Sequence, residues 1–404
     1  MTSVYGGDPS TIAATDSALD DLDLAGGMML GSDERVPALA VDRAESVRQA
    51  LQGVVRDALR RPPCLVSFSG GRDSSAVLAL AVDLARAEGL PLPVPATLRF
   101  PGDRRADESC WQDELLDKLR LRDRWRKELT TELELLGPLA VTAMLRHGLR
   151  YPVNAHFHVP LFRAARGGSL LSGVGGDELF EPHTWGRSAS ILAGRARPRR
   201  DDLVELLCRA LPRRGRATLL ARSSLMLPTW LTSAGRQAVA RRCGHWLASD
   251  PVRYDEHLRQ WWWRSRYFRH GHASLELLAA DHGVAYRAPF MHARVLGAVA
   301  TERAGRGFLD RDAAMRALFG DLLPPAVVRR ASKADFTAIL VGPETRAFAL
   351  RADPAGIVEG RFVDVARLRD AWQLPDVDVR SLLALRACWL DRAGIIPRVV
   401  RATP

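Results

Sequence analysis

Ser69-Gly70-Gly71-Arg72-Asp73-Ser74-Ser75 sets two glycines, three hydroxyls and one carboxylate within seven residues. The glycines let backbone amides approach an anion closely, and hydroxyls and N–H groups at a helix start donate to phosphate oxygens. A carboxylate among such groups would be repelled by the phosphates unless a divalent cation lay between them, which assigns Asp73 to Mg²⁺. A second cluster, Ser172-Gly173-Val174-Gly175-Gly176-Asp177-Glu178-Leu179-Phe180, again runs from glycines into acids. Each motif has a plainer reading: a Ser-Gly-Gly turn capping a helix, or a glycine-rich turn with Asp177 as N-cap. The occurrence of two such loops in one chain weighs against it.

Secondary structure must hold these residues. Cys64-Leu-Val-Ser-Phe68 is a short apolar run ending at the first loop, and residues 74–88 have helical character and stop at Gly89. Strand, glycine loop and helix follow in order. Residues 169–172 form another short strand that leads into the second loop. Upstream, Val41, Ala44, Val47, Leu51, Val54, Val55 and Leu59 recur at helical spacing until Pro62-Pro63. Residues 94–100 and 125–129 read as strands, and 107–119 and 132–149 as helices, the last with a break at Gly137-Pro138. The alternation predicts an α/β fold, a parallel sheet with helices on both faces, whose C-terminal strand ends carry both loops in one crevice. After about Asp177 strand signals fade and the chain reads as mainly helical. The expected division is an acidic tail at 1–37 outside the core, an α/β core at 38–180 and a helical region at 181–404 that completes the site.

Composition bounds the function. At roughly 150 residues per domain, 404 residues predict two or three domains. The longest charge-free run, 223–235, is too short for a membrane span, and the N-terminus lacks a basic segment followed by an apolar one. Five scattered cysteines without Cys-x-x-Cys spacing argue against disulfides and zinc, so a reducing cytoplasm is expected. The net charge of +11 favours anionic partners without choosing among nucleic acid, nucleotide and acidic peptide. Lys118, Lys127 and Lys333 are the only lysines among 58 basic residues, so each invites a separate question. Trp261, Trp262 and Trp263 lie among arginines and could grip a base or peptide, but they fit better as the core face of a helix. His156 and His158 alternate as a metal pair would; with no third ligand nearby they fit structural or substrate-lining roles.

The first loop resembles the pyrophosphate loop of ATP pyrophosphatases and lacks the lysine of kinase-type loops. With the second loop added, the chain from about residue 41 resembles the asparagine synthetase family, whose synthetase domain carries Ser-Gly-Gly-x-Asp-Ser and later Ser-Gly-Glu-Gly-x-Asp-Glu-Leu-Phe. Phe100 with Asp107-Glu108, and His282-Gly-Val-Ala-Tyr-Arg287-Ala-Pro289-Phe290, resemble intermediate landmarks in the same order. Arg329-Arg330-Ala-Ser-Lys333-Ala-Asp-Phe336 resembles the family's late Arg-x-x-Lys-x-x-Phe segment. The resemblance implies that Ser69, Gly70, Gly71, Asp73, Ser74 and Ser75 bind the ATP phosphates. It further implies that backbone near Leu98 and Ser172-Gly173 frames the adenine, and that Asp73 and Asp177 hold Mg²⁺. Lys333 would be catalytic, its compact ammonium stabilising the charged transition states.

Departures from the pattern shape the expected reaction. Thr2 stands where the family's glutaminase cysteine would be, so no glutamine hydrolysis is expected. The family's second-loop Glu is Val174, and β-lactam-forming relatives use a tyrosine to deprotonate the amine; valine can do neither job, so the general base lies elsewhere. The resemblance then runs toward lasso-peptide cyclases. An ATP-dependent, AMP-forming amide ligase results, with carboxylate and amine both in one precursor peptide, biosynthetic partner proteins, and neither membrane nor nucleic acid as partner. An ammonia-using asparagine synthetase remains the nearest alternative. A tRNA-modifying ATP pyrophosphatase would share the first loop but leave the second and the Lys333 segment without a role, and a silent scaffold would not need Asp73, Asp177 and Lys333.

Overall fold

Five parallel strands form one sheet in the order β3-β2-β1-β4-β5, with β1 (Cys64–Ser67), β2 (Val94–Arg99), β3 (Trp125–Glu128), β4 (Ser169–Leu171) and β5 (Ala285–Arg287). The computed structural model describes residues 19–40, 45–101, 107–181, 183–200, 202–222, 227–305, 307–308, 310–330 and 336–395. β1 and β4 are buried almost throughout, as strands covered on both faces must be. β1 is central and pairs with β2 on one side and β4 on the other, so the connections leaving these strands diverge around one crevice.

The helices follow local chemistry. α1 (Asp21–Gly26) precedes α2 (Val47–Leu59), which starts later than its apolar periodicity because Ser46 and Gln49 form a reciprocal capping box. Residues 41–44 of the expected helix lie outside the described residues. α3 (Arg72–Glu88) leaves the first glycine loop and closes at Gly89, whose φ of 64° suits a residue without a side chain. α4 (Ser109–Lys118) links β2 to β3. α5 (Pro138–His147) begins at the Gly137-Pro138 break, with Pro138 in the first turn where its missing N–H costs nothing. α6 (Val159–Ala164) precedes β4, and α7 (Gly176–Phe180) follows the second loop.

Two hydrophobic clusters cut across the expected three-part division. One runs from Leu39 to Ile339 around the sheet, and the fifth strand comes from the region expected to be helical. Three residues, Ala285-Tyr-Arg287, are too few to show an alternating pattern, which is why β5 is invisible in the sequence. The second cluster joins Leu19, Leu24, Ala25 and Met29 to Trp230, Val239, Trp372 and the helix Leu382–Arg392. The expectation of a tail outside the core therefore fails for its described part. Asp23 is fully buried, and its carboxylate accepts from Arg266 at 2.6 Å and Arg242 at 3.2 Å. The acids that suggested a solvated tail are in part the polar anchors of a buried helix. Trp261, Trp262 and Trp263 are buried, the first stacked on Trp246 at 4.4 Å. No helix among the described residues is long and apolar enough to cross a membrane.

Candidate active site

The two glycine loops meet because the second carries no side chains where it touches the first. A Cβ on Gly173 would come within 2.7 Å of the Ser74 amide nitrogen, and one on Gly176 within 2.3 Å of the Asp73 carboxyl carbon. Any larger residue would push the second loop off the first. In the first loop Gly70 takes a φ of 92°, and the Ser69 and Ser74 hydroxyls lie 3.1 Å apart at the start of α3. The Ser69 hydroxyl accepts from the Gly71 amide, and the Ser74 hydroxyl donates to the Gly71 carbonyl, so the loop is held by its own hydroxyls. The Ser172 amide donates to the Arg287 carbonyl at 2.9 Å, tying the second loop to β5. A crevice of about 460 Å³ opens between the loops.

Asp73 and Asp177 converge on one guanidinium. Arg311 donates to both carboxylates and to Glu181. Burial pushes the Asp73 carboxyl up to about 6; Arg311 pulls against that shift and the neighbouring Asp177 adds to it. Arg311 is itself held more firmly protonated: its burial acts against the charge, but the two carboxylates outweigh it. Oδ1 of Asp73 is buried without a hydrogen-bond partner. Two hard carboxylates that share one cation, one of them with an unused oxygen, are the donor set a Mg²⁺ bound jointly with phosphates requires. The residues present therefore fit Mg²⁺, although no group of three or more His, Cys, Asp or Glu side chains among the described residues forms a cage of its own.

The first loop is backed by a closed ion pair. Arg330 is 5% exposed, donates to the Gly70 carbonyl at 2.7 Å and to both oxygens of Glu108, and lies over the Trp111 ring at 5.0 Å. Gln112 donates to the Ser69 carbonyl at 2.8 Å. His158 lines the crevice, its imidazole pushed down to about 4 by burial; His156 lies behind it, 2% exposed, bonded to the Leu133 carbonyl and Arg386.

Of the residues singled out from the sequence, Ser69, Gly71, Asp73, Ser74, Glu108, Ser172, Gly173 and Asp177 line the crevice together with Val174. Gly70 does not; its carbonyl faces Arg330 behind the loop. Ser75 is wholly buried, because one residue along a helix turns the side chain by roughly 100° and carries it from the crevice into the core. Leu98 packs its side chain against the main cluster and pairs with Lys127 in β3; the role expected there is one for its backbone. Lys333 lies outside the described residues, between Arg330, which backs the first loop, and Phe336, which lines the crevice.

A family model described as asparagine synthase matches residues 46–385. The chain belongs to the asparagine synthase family. Its match spans both glycine loops, the Arg287 segment and the Arg330–Phe336 segment, so the whole crevice lies inside the asparagine synthase region. The protein is thereby an ATP-dependent amide ligase of the asparagine synthetase type, and family members ordinarily use ATP with Mg²⁺. No curated protein sequence matches the chain.

Sequence reasoning missed Arg311 and Glu181. One arginine among 55 carries no compositional signal. The usable hint was local: Asp310-Arg311-Asp312 places a cation between two acids at a helix start, where Asp310 caps Arg311–Phe319. Asp312 in turn pairs with Arg72 of the first loop.

Proposed function

We propose that this protein adenylates a carboxylate and passes the acyl group to an amine within the same precursor peptide, closing a macrolactam or isopeptide ring. The convergence of both glycine loops on Asp73 and Asp177 carries the reading, since one crevice then offers phosphate donors beside paired carboxylates. Asp73 and Asp177 would hold Mg²⁺, which when bound supplies positive charge against the phosphates. Ser69, Ser74 and the amides at the start of α3 bind the pyrophosphate portion. A carboxylate oxygen attacks the α-phosphorus as the bond to pyrophosphate breaks. The amine nitrogen then attacks the acyl carbon, a C–N bond forms, AMP leaves, and the nitrogen gives up its proton to a base. Lys333 compensates the charge that develops in both steps. Val174, apolar at the crevice wall, favours a nucleophile other than ammonia, because no carboxylate stands there to orient and deprotonate it.

AMP and pyrophosphate formation from Mg-ATP tests the reading, with no addition, with aspartate plus ammonium, and with a precursor peptide. Release of AMP only with peptide supports ring closure; asparagine made from aspartate and ammonium overturns it. Lys333→Ala should abolish product while ATP binding persists, and retained turnover would remove Lys333 from the mechanism.

A further inference from the structure

A second chamber of about 380 Å³ lies beside the crevice, and Phe336 lines both. Its walls come from segments far apart in sequence: Gly27 and Met28 after α1, residues 151–157, Tyr267, and Val379 with Arg380. Four aromatic rings line it. Tyr151 and Tyr267 meet edge to face at 5.7 Å, and Phe157 reaches Phe336 through Phe100, with centroid separations of 6.4 and 5.7 Å. The Tyr267 hydroxyl lies 3.4 Å from a Glu178 oxygen on α7, the helix that leaves the second glycine loop. The chamber and the crevice thus share Phe336 as a wall, and the Tyr–Glu contact ties the chamber to the helix that follows the second loop.

The charge inside decides what fits. Arg380 is the one charged residue among the described lining residues, and Asp378 engages it on two edges, at 2.9 Å to Nε and 2.6 Å to Nη2. A free acidic amino acid would bring an ammonium and a carboxylate into the chamber, and both need opposite charges once desolvated. Aromatic faces, valine and leucine side chains and a few hydroxyl and amide groups suit uncharged, apolar matter instead, and the volume lies in the range of ligand pockets. Building on the ligase reading above, we propose that the chamber binds the apolar side chains of a peptide and thereby delivers that peptide's carboxylate past Phe336 to the nucleotide. The acyl substrate is then a peptide with aromatic or aliphatic residues next to its acid, and not free aspartate.

The test uses blocked tripeptides, Phe-Glu-Phe and Ala-Glu-Ala, and free aspartate, titrated calorimetrically into the full-length protein with Mg²⁺ and a non-hydrolysable ATP analogue, alongside ATP–pyrophosphate exchange. Wild type should bind Phe-Glu-Phe at least tenfold more tightly than Ala-Glu-Ala. Val379→Asp, at a position already 40% exposed and so tolerant of charge, should erase that preference and leave the KM for ATP within twofold. Tyr151→Ala should weaken it in the same direction. Equal binding of the two peptides by wild type, or a preference unchanged in both variants, would overturn the proposal. Exchange with aspartate as fast as with peptide would overturn the chamber's role and leave the ligase chemistry standing. Chamber-dependent binding with no exchange from any carboxylate would sink the ligase reading and spare the chamber's preference.

Discussion

Two guanidinium–carboxylate assemblies flank the first glycine loop, and they are built differently. Arg330 and Glu108 are 3% and 6% exposed at their side chains, and the guanidinium is further satisfied by the Gly70 carbonyl and the Trp111 face. Arg311, Asp73 and Asp177 are 12%, 15% and 36% exposed, and Asp73 Oδ1 and Arg311 Nε are buried without partners. A closed pair fixes backbone; an incompletely satisfied one can exchange its cation. Ion pairs of like composition serve as scaffold or as site according to how many of their hydrogen-bonding positions are used.

The largest expected effect is at Asp73. Asp73→Asn should reduce AMP formation on the order of a thousandfold, several kcal/mol of lost charge stabilisation, with the far-ultraviolet circular dichroism unchanged. Full activity would remove Asp73 from the site. On the closed side, Arg330→Met leaves the Glu108 carboxylate buried and unpaired, and should cost about 3–5 kcal/mol in denaturant unfolding, with no recovery in Mg²⁺. Arg311→Met should cost less, about 1–2 kcal/mol, and millimolar Mg²⁺ should restore most of it, because an ion can take the guanidinium's place between the carboxylates. Equal losses in the two arginine variants, both insensitive to Mg²⁺, would erase the distinction drawn between them.

The smallest effect concerns pH. Burial holds His156 down to about 3, helped by the adjacent Arg386 charge, and His158 down to about 4. Both lie below the value of about 6.5 expected in the unfolded chain, so between pH 6.5 and 4 the unfolded state binds more protons. Stability therefore rises with pH across that window and falls on acidification. From pH 7 to 5.5 each histidine should remove roughly 1 kcal/mol, readable as a falling Tm. A Tm that is flat over this range would contradict their burial as neutral rings.

Much of the crevice was legible because its chemistry is written in contiguous residues. Ser69 to Asp73 and Ser172 to Asp177 follow strands, and the small residues that let the loops touch are themselves part of the motifs. What was hidden depends on distance or on length. Arg311 reaches Asp73 across 238 positions and looks like any other arginine. β5 is three residues long, and its membership of the sheet is decided by pairing with β4. α1 was masked by averaging, since its apolar residues sit among acids whose partners, Arg242 and Arg266, lie more than two hundred residues away. Ser75 belongs to the motif, but a motif does not say which way each side chain turns, and this one turns into the core.

The second cluster makes the order of synthesis matter. α1 meets Trp230, Val239 and Arg242 only after about two hundred further residues, and the helix Leu382–Arg392 arrives last. At ~5–20 residues per second a ribosome needs roughly 10–40 s to span those two hundred residues. Throughout it Leu24 and Met29 lack part of the cluster that buries them in the folded protein. A chaperone that captures exposed leucine and methionine should therefore engage this polypeptide early and let go only near termination.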